Sequence, residues 1–250
     1  MTTSDLDRLR ELLRGAKRVL AFTGAGMSTG SGIPDFRGPA GVWQKRTPVY
    51  YQEFIADEDA RREYWEYKLE NWVAFRDAKP NAAHRALVEL ERRGTLECLV
   101  TQNIDGLHQA AGTGRDRLIE LHGTNAEVEC VDCKRRESPE RCMTEFERTR
   151  EPPTCAACGA LMKPAVVMFG QALDMGLLGA AMRAAERADL ILALGSSLVV
   201  TPAADVPLAG ARRGTPYVIV NRGETPHDRL ATLCIDDDVV SVLPTVIEAG

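Results

Sequence analysis

The sequence predicts an α/β protein with a doubly wound parallel sheet into which a smaller domain is inserted. Short, continuously apolar runs, typical of strands buried on both faces, alternate with helical patterns along the chain. The polar motifs begin where these runs stop, and in doubly wound, Rossmann-like sheets ligands bind at that edge. The alternation breaks over 47–79 and 126–162, which predicts the smaller domain.

The composition predicts a soluble, globular protein. The chain has 250 residues, of which 44% are hydrophobic and 27% charged, and its formal net charge is −5. This balance predicts no general attraction to nucleic acid or to an anionic membrane. No apolar run approaches the length of a membrane-spanning helix, and the N-terminus lacks the apolar core of a secretory peptide. We therefore expect a cytoplasmic protein. The sequence alone does not determine its oligomeric state.

The N-terminal segment predicts a helix. Ser4 and Asp7 have the spacing of a capping box, and Leu6, Leu9 and Leu13 recur at helical spacing.

Further along, six runs predict strands and two segments predict helices. The strands are 19–22, 96–100, 118–121, 165–169, 190–194 and 217–220, and the helices lie near 82–93 and 177–187. Asn81 can cap the first of these helices and Gly94 can end it. The sheet domain then comprises 1–46, 80–125 and 163–250, and the smaller domain combines a helical insert, 47–79, with a cysteine-bearing insert, 126–162.

A glycine-rich turn follows the first predicted strand. Gly24, Gly26 and Gly30 lie where a backbone can approach a dinucleotide pyrophosphate closely, because glycine has no Cβ. Their spacing is one residue longer than the dehydrogenase fingerprint, so the turn alone is weak evidence. The segment 33–38 adds an acid, an aromatic ring and an arginine. That combination favours a loop that folds over a charged ligand containing rings.

Four of the seven cysteines form two C-x₂-C pairs, Cys130 with Cys133 and Cys155 with Cys158. Two such pairs supply the four thiolates of a closed zinc site, which has no open position for water and is therefore structural. An iron–sulfur cluster is the alternative. The odd total of cysteines favours a reducing compartment over disulfides. The other three, Cys98, Cys142 and Cys234, are expected to be buried or spare thiols.

Four motifs in this order resemble the sirtuins, the NAD-dependent protein deacylases. They are the glycine turn, the segment Gln102-Asn103-Ile104-Asp105-Gly106-Leu107-His108, the segment Glu120-Leu121-His122-Gly123 and the cysteine pairs. The resemblance extends from about Val19 to Val242. It implies NAD and zinc as cofactors and a protein-lysine deacetylase or deacylase that transfers the acyl group to ADP-ribose and releases nicotinamide. Segments 34–43 and 225–229 are most similar to the branch containing the nuclear, chromatin-associated animal sirtuins, although the long basic tail of those proteins is absent.

The resemblance makes His122 the general base, which takes a proton from the nicotinamide ribose. This imidazole follows a short apolar run, so it is expected at the ligand edge of the sheet. His108 is the competing candidate, whereas His84 and His227 are expected to be structural. Asn103 and Asp105 complete the implied catalytic set, because an amide and a carboxylate can hold the carboxamide of nicotinamide.

The residues that the resemblance places around NAD lie at the ends of the predicted strands. They are Gly24, Ala25, Gly26, Thr29, Asp35, Phe36, Arg37, Trp43, Gln102, Asn103, Ile104, Asp105, Gly195, Ser196, Ser197, Asn221, Gly223 and Val239.

The implied partner is an acyl-lysine protein or peptide, bound by β-augmentation near Val167–Gly170. Met168 and Gln171 depart from the residues that many family members have there. Members that prefer succinyl-lysine carry Tyr-x-x-Arg in the helical insert, which this chain lacks, so we expect a bias towards neutral acyl groups. Lys68 is the exception that could bind an acid, if its helix turns it inward.

Three other functions compete with deacylation. The branch that this chain resembles, that of the nuclear animal sirtuins, includes mono-ADP-ribosyltransferases. A zinc-containing dehydrogenase would need a second, open metal site, for which the sequence leaves no ligand set. A non-catalytic NAD-sensing zinc protein would not need the set of Asn103, Asp105 and His122.

Overall fold

The chain forms two sheets in the computed structural model, which describes residues 2–35, 38, 41, 42 and 46–247. The strands are β1 Val19–Thr23, β2 Leu96–Thr101, β3 Leu118–Glu120, β4 Gly123–Cys130, β5 Arg136–Glu137, β6 Met162–Val166, β7 Leu190–Leu194, β8 Tyr217–Val220 and β9 Leu233–Ile235. The helices are α1 Thr3–Gly15, α2 Tyr51–Ala56, α3 Glu58–Asp77, α4 Ala82–Arg92, α5 Leu107–Ala111, α6 Glu140–Thr149, α7 Met175–Arg187, α8 Asp205–Ala211 and α9 Val239–Ile247.

The larger sheet is parallel, with the strand order β3-β2-β1-β7-β8-β9. Counting only these six strands along the chain, this is the 3-2-1-4-5-6 order of the doubly wound fold, which confirms the predicted fold class. The order reverses between β1 and β7, so a crevice opens outside their carboxyl ends. Gly24 follows β1 and Gly195 follows β7, which places both glycines at that crevice.

Helices cover both faces of this sheet, because its central strands are apolar on both sides. In β1, Val19 and Ala21 pack into one core, which includes residues of α1, α4 and α9. Leu20 and Phe22 pack into the opposite core with residues of α7 and α8. All four are fully buried, and each large apolar side chain contributes about 1.5–3 kcal/mol to folding when it leaves water.

The smaller sheet is antiparallel, in the order β5-β4-β6. The strand prediction for 165–169 was wrong in its sheet: β6 spans Met162–Val166 and pairs with β4, and it does not join the parallel sheet. The physical reason is that β6 is buried along its whole length, so its apolar run looks the same as that of a buried parallel strand. Trp65 of α3 and Phe146 of α6 pack beside this sheet in a third core.

The N-terminal helix is present, but its predicted cap was wrong. Thr2 is the N-cap: its Oγ1 accepts a hydrogen bond from the backbone N–H of Asp5, whose carboxylate accepts one from the backbone N–H of Thr2. The box therefore begins two residues earlier than the predicted Ser4–Asp7 pair. Both pairs have carboxylates at the required spacing, so only the backbone conformation of Thr2 distinguishes them.

Among the described residues, no helix combines the length and the apolar character needed to cross a membrane.

The capping box gives a prediction for stability. Thr2→Ala removes the side-chain acceptor of the N-cap and should lower the free energy of unfolding by about 1 kcal/mol. Ser4→Ala, inside the helix, is the matched control and should change it by less than about 0.5 kcal/mol. Chemical denaturation of both variants measures the difference, and equal effects would contradict the assignment of Thr2 as the cap.

Candidate functional site

A cleft of about 810 Å³ lies outside the carboxyl ends of the parallel strands. Its walls come from the segments that follow β1, β2, β3, β7 and β8, and from the segment 167–173 beyond β6. Ligand pockets typically measure about 300–1,000 Å³, so the cleft has room for a dinucleotide.

Glycines bring the turns after β1 and β7 into direct backbone contact. The N–H of Gly26 donates to the carbonyl oxygen of Gly195 at 2.8 Å. A Cβ on Gly24 would lie 2.8 Å from that same oxygen, and a Cβ on Gly26 would lie 2.8 Å from the Cα of Gly195. Real Cβ atoms do not approach backbone this closely, and Gly195 itself has a left-handed backbone with φ 59°. Any side chain at these positions would push the two turns apart.

Ala25 and Thr29 also line the cleft and belong to two short 3₁₀ turns, Ala25–Met27 and Thr29–Ser31. The hydroxyl of Thr29 donates to the carbonyl oxygen of Gly26 at 3.0 Å, which fixes the second turn on the first.

His122 lies in the wall of the cleft, two residues after the end of β3. Its Nδ1 is 3.0 Å from the carbonyl oxygen of Gln102. Because a carbonyl oxygen only accepts, Nδ1 must carry the proton, which leaves the lone pair of Nε2 available as a base. Burial lowers the pKa of His122 below 6.5, while the hydrogen bond to Gln102 acts in the opposite direction. The imidazole is therefore neutral near pH 7.

Gln102, which holds the histidine through its backbone carbonyl, reaches with its side-chain amide to the turn after β7. Its Nε2 donates to the hydroxyl of Ser196 at 2.9 Å, and the same hydroxyl accepts the backbone N–H of Leu198. Gln102, Ser196 and Ser197 all line the cleft.

Asn103 and Asp105 are joined through Ser28, a residue that the sequence analysis did not single out. The Nδ2 of Asn103 donates to the hydroxyl of Ser28 at 3.1 Å and to the carbonyl oxygen of Gly24 at 3.0 Å. The Ser28 hydroxyl in turn donates to the Asp105 carboxylate at 2.7 Å. The chain of bonds orients the Asn103 amide in the wall of the cleft. Ser28 could have been found from its position within the glycine turn, opposite the Gln102–Asp105 segment.

Asp105 does not line the cleft in this structure. Its carboxylate accepts from Ser28 and from the backbone N–H of Leu107, at the start of α5. Burial raises the pKa of Asp105, and these two hydrogen bonds oppose that effect. Its position is that of a side chain that holds the loop behind Asn103.

His108, the competing base, does not line the cleft. It is 2% exposed, and its Nε2 lies 3.0 Å from the hydroxyl of Thr23. Its ring packs beside that of His84, with centroids 4.8 Å apart. Burial lowers the pKa of His108 well below 6.5. His227 is also buried, against the hydroxyl of Tyr217, so both predicted structural histidines are found in that role.

The far end of the cleft is formed by Asn221, after β8, and Val239, the first residue of α9. Gly223 does not line the cleft; its N–H donates to the Asp236 carboxylate. The charged residues at this end that the sequence analysis missed include Asp237 and Asp238. The run of three aspartates that precedes α9 was the available signal.

The loop predicted to fold over the cofactor is only partly described. Asp35 lines the cleft, and its carboxylate accepts the N–H of Gly38 at 2.8 Å. Phe36, Arg37 and Trp43 lie outside the described residues. Of the remaining predicted residues, Ile104 also lines the cleft.

The four paired cysteines converge at the end of the small sheet. Cys130 and Cys158 have their sulfurs 3.5 Å apart, those of Cys133 and Cys155 are 3.7 Å apart, and all four lie within 4.8 Å of one another. Tetrahedral zinc with Zn–S bonds of about 2.3 Å requires sulfurs about 3.8 Å apart, so the cluster fits one zinc ion. The set is complete without water and lies apart from the cleft, which fits a structural metal. Cys98 and Cys142 are buried, and Cys234 is exposed.

Comparisons with known proteins agree along almost the whole chain. The model of the Sir2 family matches residues 24–202. NAD-dependent protein deacetylases are 39% identical over 241 residues in Rhodopseudomonas palustris and 42% identical over 244 residues in Thermotoga maritima. The alignments cover 96% of this chain in both cases, and 95% and 96% of the relatives. A deacetylase of Haloarcula marismortui is 43% identical over 250 residues and is covered over 94% of its length, as this chain is over 97%.

Solved structures give the same result. A Sir2 protein with a p53 peptide and NAD⁺ superposes with a TM-score of 0.89 at 40% identity, with 98% of both chains covered. A Sir2 protein bound to an acetylated peptide gives 0.88 at 39% identity, again over 98% of both chains. The relatives named here are bacterial and archaeal, so they do not support the predicted closeness to the nuclear animal branch.

The cysteine cluster predicts one zinc ion per chain with a role in stability. The double variant Cys130→Ser/Cys133→Ser removes half of the ligands, so metal analysis should fall from one zinc to none, and amides of β4 and β6 should lose protection from hydrogen exchange. Cys234→Ser, outside the cluster, is the matched control and should keep its zinc. A double variant with full protection in the small sheet would show that no structural metal is bound there.

Proposed function

The chain belongs to the Sir2 family, and on that premise we propose that it is an NAD-dependent protein-lysine deacetylase. It transfers the acyl group of a modified lysine to the ADP-ribose part of NAD and releases nicotinamide. The single observation that carries this proposal is the position of His122 in the wall of the cleft, with its Nδ1 committed to the Gln102 carbonyl and Nε2 left as a base. A protein that only binds NAD has no need of such a base.

The residues of the chain have separate tasks in this reaction. NAD supplies the ribose carbon that accepts the acyl oxygen and the nicotinamide that leaves. Asn103, fixed by Gly24 and Ser28, presents an amide that can hold a carboxamide in place. His122 accepts a proton from a ribose hydroxyl through Nε2 and remains oriented by Gln102. Asp105 acts on the site through Ser28 and has no place in the wall of the cleft.

We assign the acyl-lysine peptide to the segment Val167–Gly170, which continues beyond the edge strand β6. An edge strand can accept a further strand by backbone hydrogen bonding. The N–H of Val167 donates to the carbonyl oxygen of His122 at 2.9 Å, so the segment lies directly beside the base.

The two departures in this segment have structural explanations. Met168 is buried in the third core, with Trp65 and Phe146, and the amide oxygen of Gln171 accepts the N–H of Met168 at 3.2 Å. A carboxylate oxygen at position 171 would accept the same hydrogen bond.

We propose a cytoplasmic location. All seven cysteines are free thiols, and the cluster of four binds metal only when it is reduced.

The direct test is turnover of an acetylated peptide. With NAD, the protein should release nicotinamide and deacetylated peptide in equal amounts and form acetylated ADP-ribose, all measurable by mass spectrometry. Omission of NAD is the control and should stop all three. Binding of NAD without nicotinamide release would instead indicate a sensing protein, and transfer of ADP-ribose to the peptide would indicate an ADP-ribosyltransferase.

The role of His122 gives a second prediction. His122→Ala should lower kcat/KM for the acetylated peptide by roughly 10²- to 10⁴-fold, the range for loss of a general base, and should still bind NAD and zinc. His227→Asn removes a buried imidazole outside the cleft and is the matched control. Because burial lowers the pKa of His122, the base is lost only at low pH, and the acid limb of log kcat/KM should inflect below pH 6.5. An unchanged rate in His122→Ala would assign the proton transfer to another group.

A further inference from the structure

A second cavity, here called the side chamber, adjoins the cleft. It measures about 140 Å³ and lies between α3 and the segment that continues from β6. Ile104, Val167, Met168 and Phe169 line both the chamber and the cleft, so the two spaces meet at the wall beside the predicted nicotinamide and peptide sites. A group attached to a lysine in the cleft can therefore extend towards the chamber.

The walls of the chamber are largely apolar, and Lys68 is one of the few charged residues among them. α3 turns this residue inward, beside Tyr64, which is 8% exposed. The Nζ of Lys68 donates to the Oδ1 of Asn125 at 3.0 Å and lies 5.3 Å from the ring centroid of Tyr64 and 5.9 Å from that of Tyr67. The ammonium is thus held by one amide oxygen and two ring faces.

Within the described part of the chain, Lys68 has no carboxylate partner. An ammonium has three N–H donors, and one of them is used here. Glu63 also lines the chamber but lies beyond ion-pair distance of Lys68, and the other cation of the chamber, Arg46, is already paired with Glu70 at 2.8 Å. Lys68 is half-buried, and a cation withdrawn from water without a counter-ion is costly, so a bound carboxylate would relieve that cost.

The electrostatic state of Lys68 reflects the same imbalance. Burial lowers its pKa from 10.5 to about 7, and the charge of Lys163 adds to this effect. Lys163 is itself 3% exposed and donates to the carbonyl oxygens of Pro164 and Val166. A carboxylate bound beside Lys68 would favour its charged form and raise this pKa again.

Asn125 ties the ammonium to the catalytic loop. Its backbone N–H donates to the carbonyl oxygen of Ile104 at 2.8 Å, next to Asn103. The acceptor that holds Lys68 is therefore fixed with respect to the loop that faces the cleft.

We propose that the side chamber binds an acyl group that ends in a carboxylate, of about the size of succinyl, and that Lys68 pairs with this carboxylate. The assignment rests on the proposed deacylase function and specifies the substrate class of that site. An apolar cavity of ~150 Å³ holds a benzene molecule, so a chamber of this size accommodates a chain of four carbons. The amide of Asn125 and the tyrosines Tyr64 and Tyr67 enclose the pair.

A bound carboxylate differs from the neutral acyl group that the sequence analysis expects. The bias towards neutral acyl groups was expected because no Tyr-x-x-Arg occurs in the helical insert, with an inward Lys68 as the stated exception. The structure has Lys68 inward. A lysine binds a carboxylate as a point charge and does not need the two-pronged geometry of arginine.

The test compares succinyl-, butyryl- and acetyl-lysine in one peptide. Butyryl has the same four carbons as succinyl without the carboxylate, so the ratio of their kcat/KM values isolates the charge. In the wild-type protein this ratio should exceed one. Lys68→Met should lower it by about 10- to 100-fold, the effect of one lost hydrogen bond to a charged group, mainly through KM. Lys68→Arg keeps the cation and should retain a ratio above one.

Arg46→Met is the matched control, because Arg46 lines the same chamber but is already paired with Glu70. Its ratio should stay within about twofold of the wild-type value, since surface ion pairs contribute little. A ratio lowered by Arg46→Met and unchanged by Lys68→Met would overturn the assignment of Lys68.

The wild-type protein alone also decides the question, in case a variant does not fold. Succinyl-peptide should bind more tightly than butyryl-peptide in calorimetry without NAD. If the acetyl peptide is turned over and the succinyl peptide is used no better than the butyryl peptide, the chamber assignment is wrong and the deacetylase function stands. Failure to release nicotinamide with any acyl peptide overturns the proposed function itself.

Discussion

The contact between the turns after β1 and β7 is the constraint on which the rest of the site depends. Gly24 and Gly26 lie against Gly195 so closely that no side chain fits between them. This contact closes the inner end of the crevice at the point where the strand order reverses. It also positions the carbonyl of Gly24, which accepts from Asn103, and the turn that carries Ser28. The orientation of the amide in the wall of the cleft is therefore decided by backbone packing between two strands that are far apart in the sequence.

Around this contact, the polar groups that line the cleft are held in place by hydrogen bonds to other groups of the protein. Gln102 illustrates the principle, because its carbonyl sets the tautomer of His122 while its amide binds Ser196. Groups prepared in this way need little reorganisation when substrate arrives. Asp105, by contrast, accepts from Ser28 and from the backbone N–H of Leu107, so in this structure it holds the loop behind Asn103.

Much of this was predictable from the sequence, and the exceptions have physical causes. The strands Leu190–Leu194 and Tyr217–Val220 were predicted to the residue, because continuous apolar runs bounded by polar motifs define buried parallel strands. Helix α9 was not predicted, since Pro244 within it argues against a helix. The sheet to which β6 belongs and the direction of Lys68 both depend on tertiary contacts that no local pattern carries. His122 was found because a strand end fixes where its side chain lies, whereas Ser28 needs the pairing of two loops.

The small sheet is more than a support for the metal cluster, because it also holds the backbone of the base. β4 begins at the residue after His122 and ends at Cys130, and the N–H of Val167, just beyond β6, donates to the carbonyl of His122. One antiparallel ladder thus connects the cysteine cluster to the segment that carries His122. Binding linkage is reciprocal. If bound metal stabilises the ordered position of His122, a ligand that fixes His122 raises the affinity for metal by the same factor. Where metal binding orders His122, a chelator would compete less well against the protein when its cleft is filled.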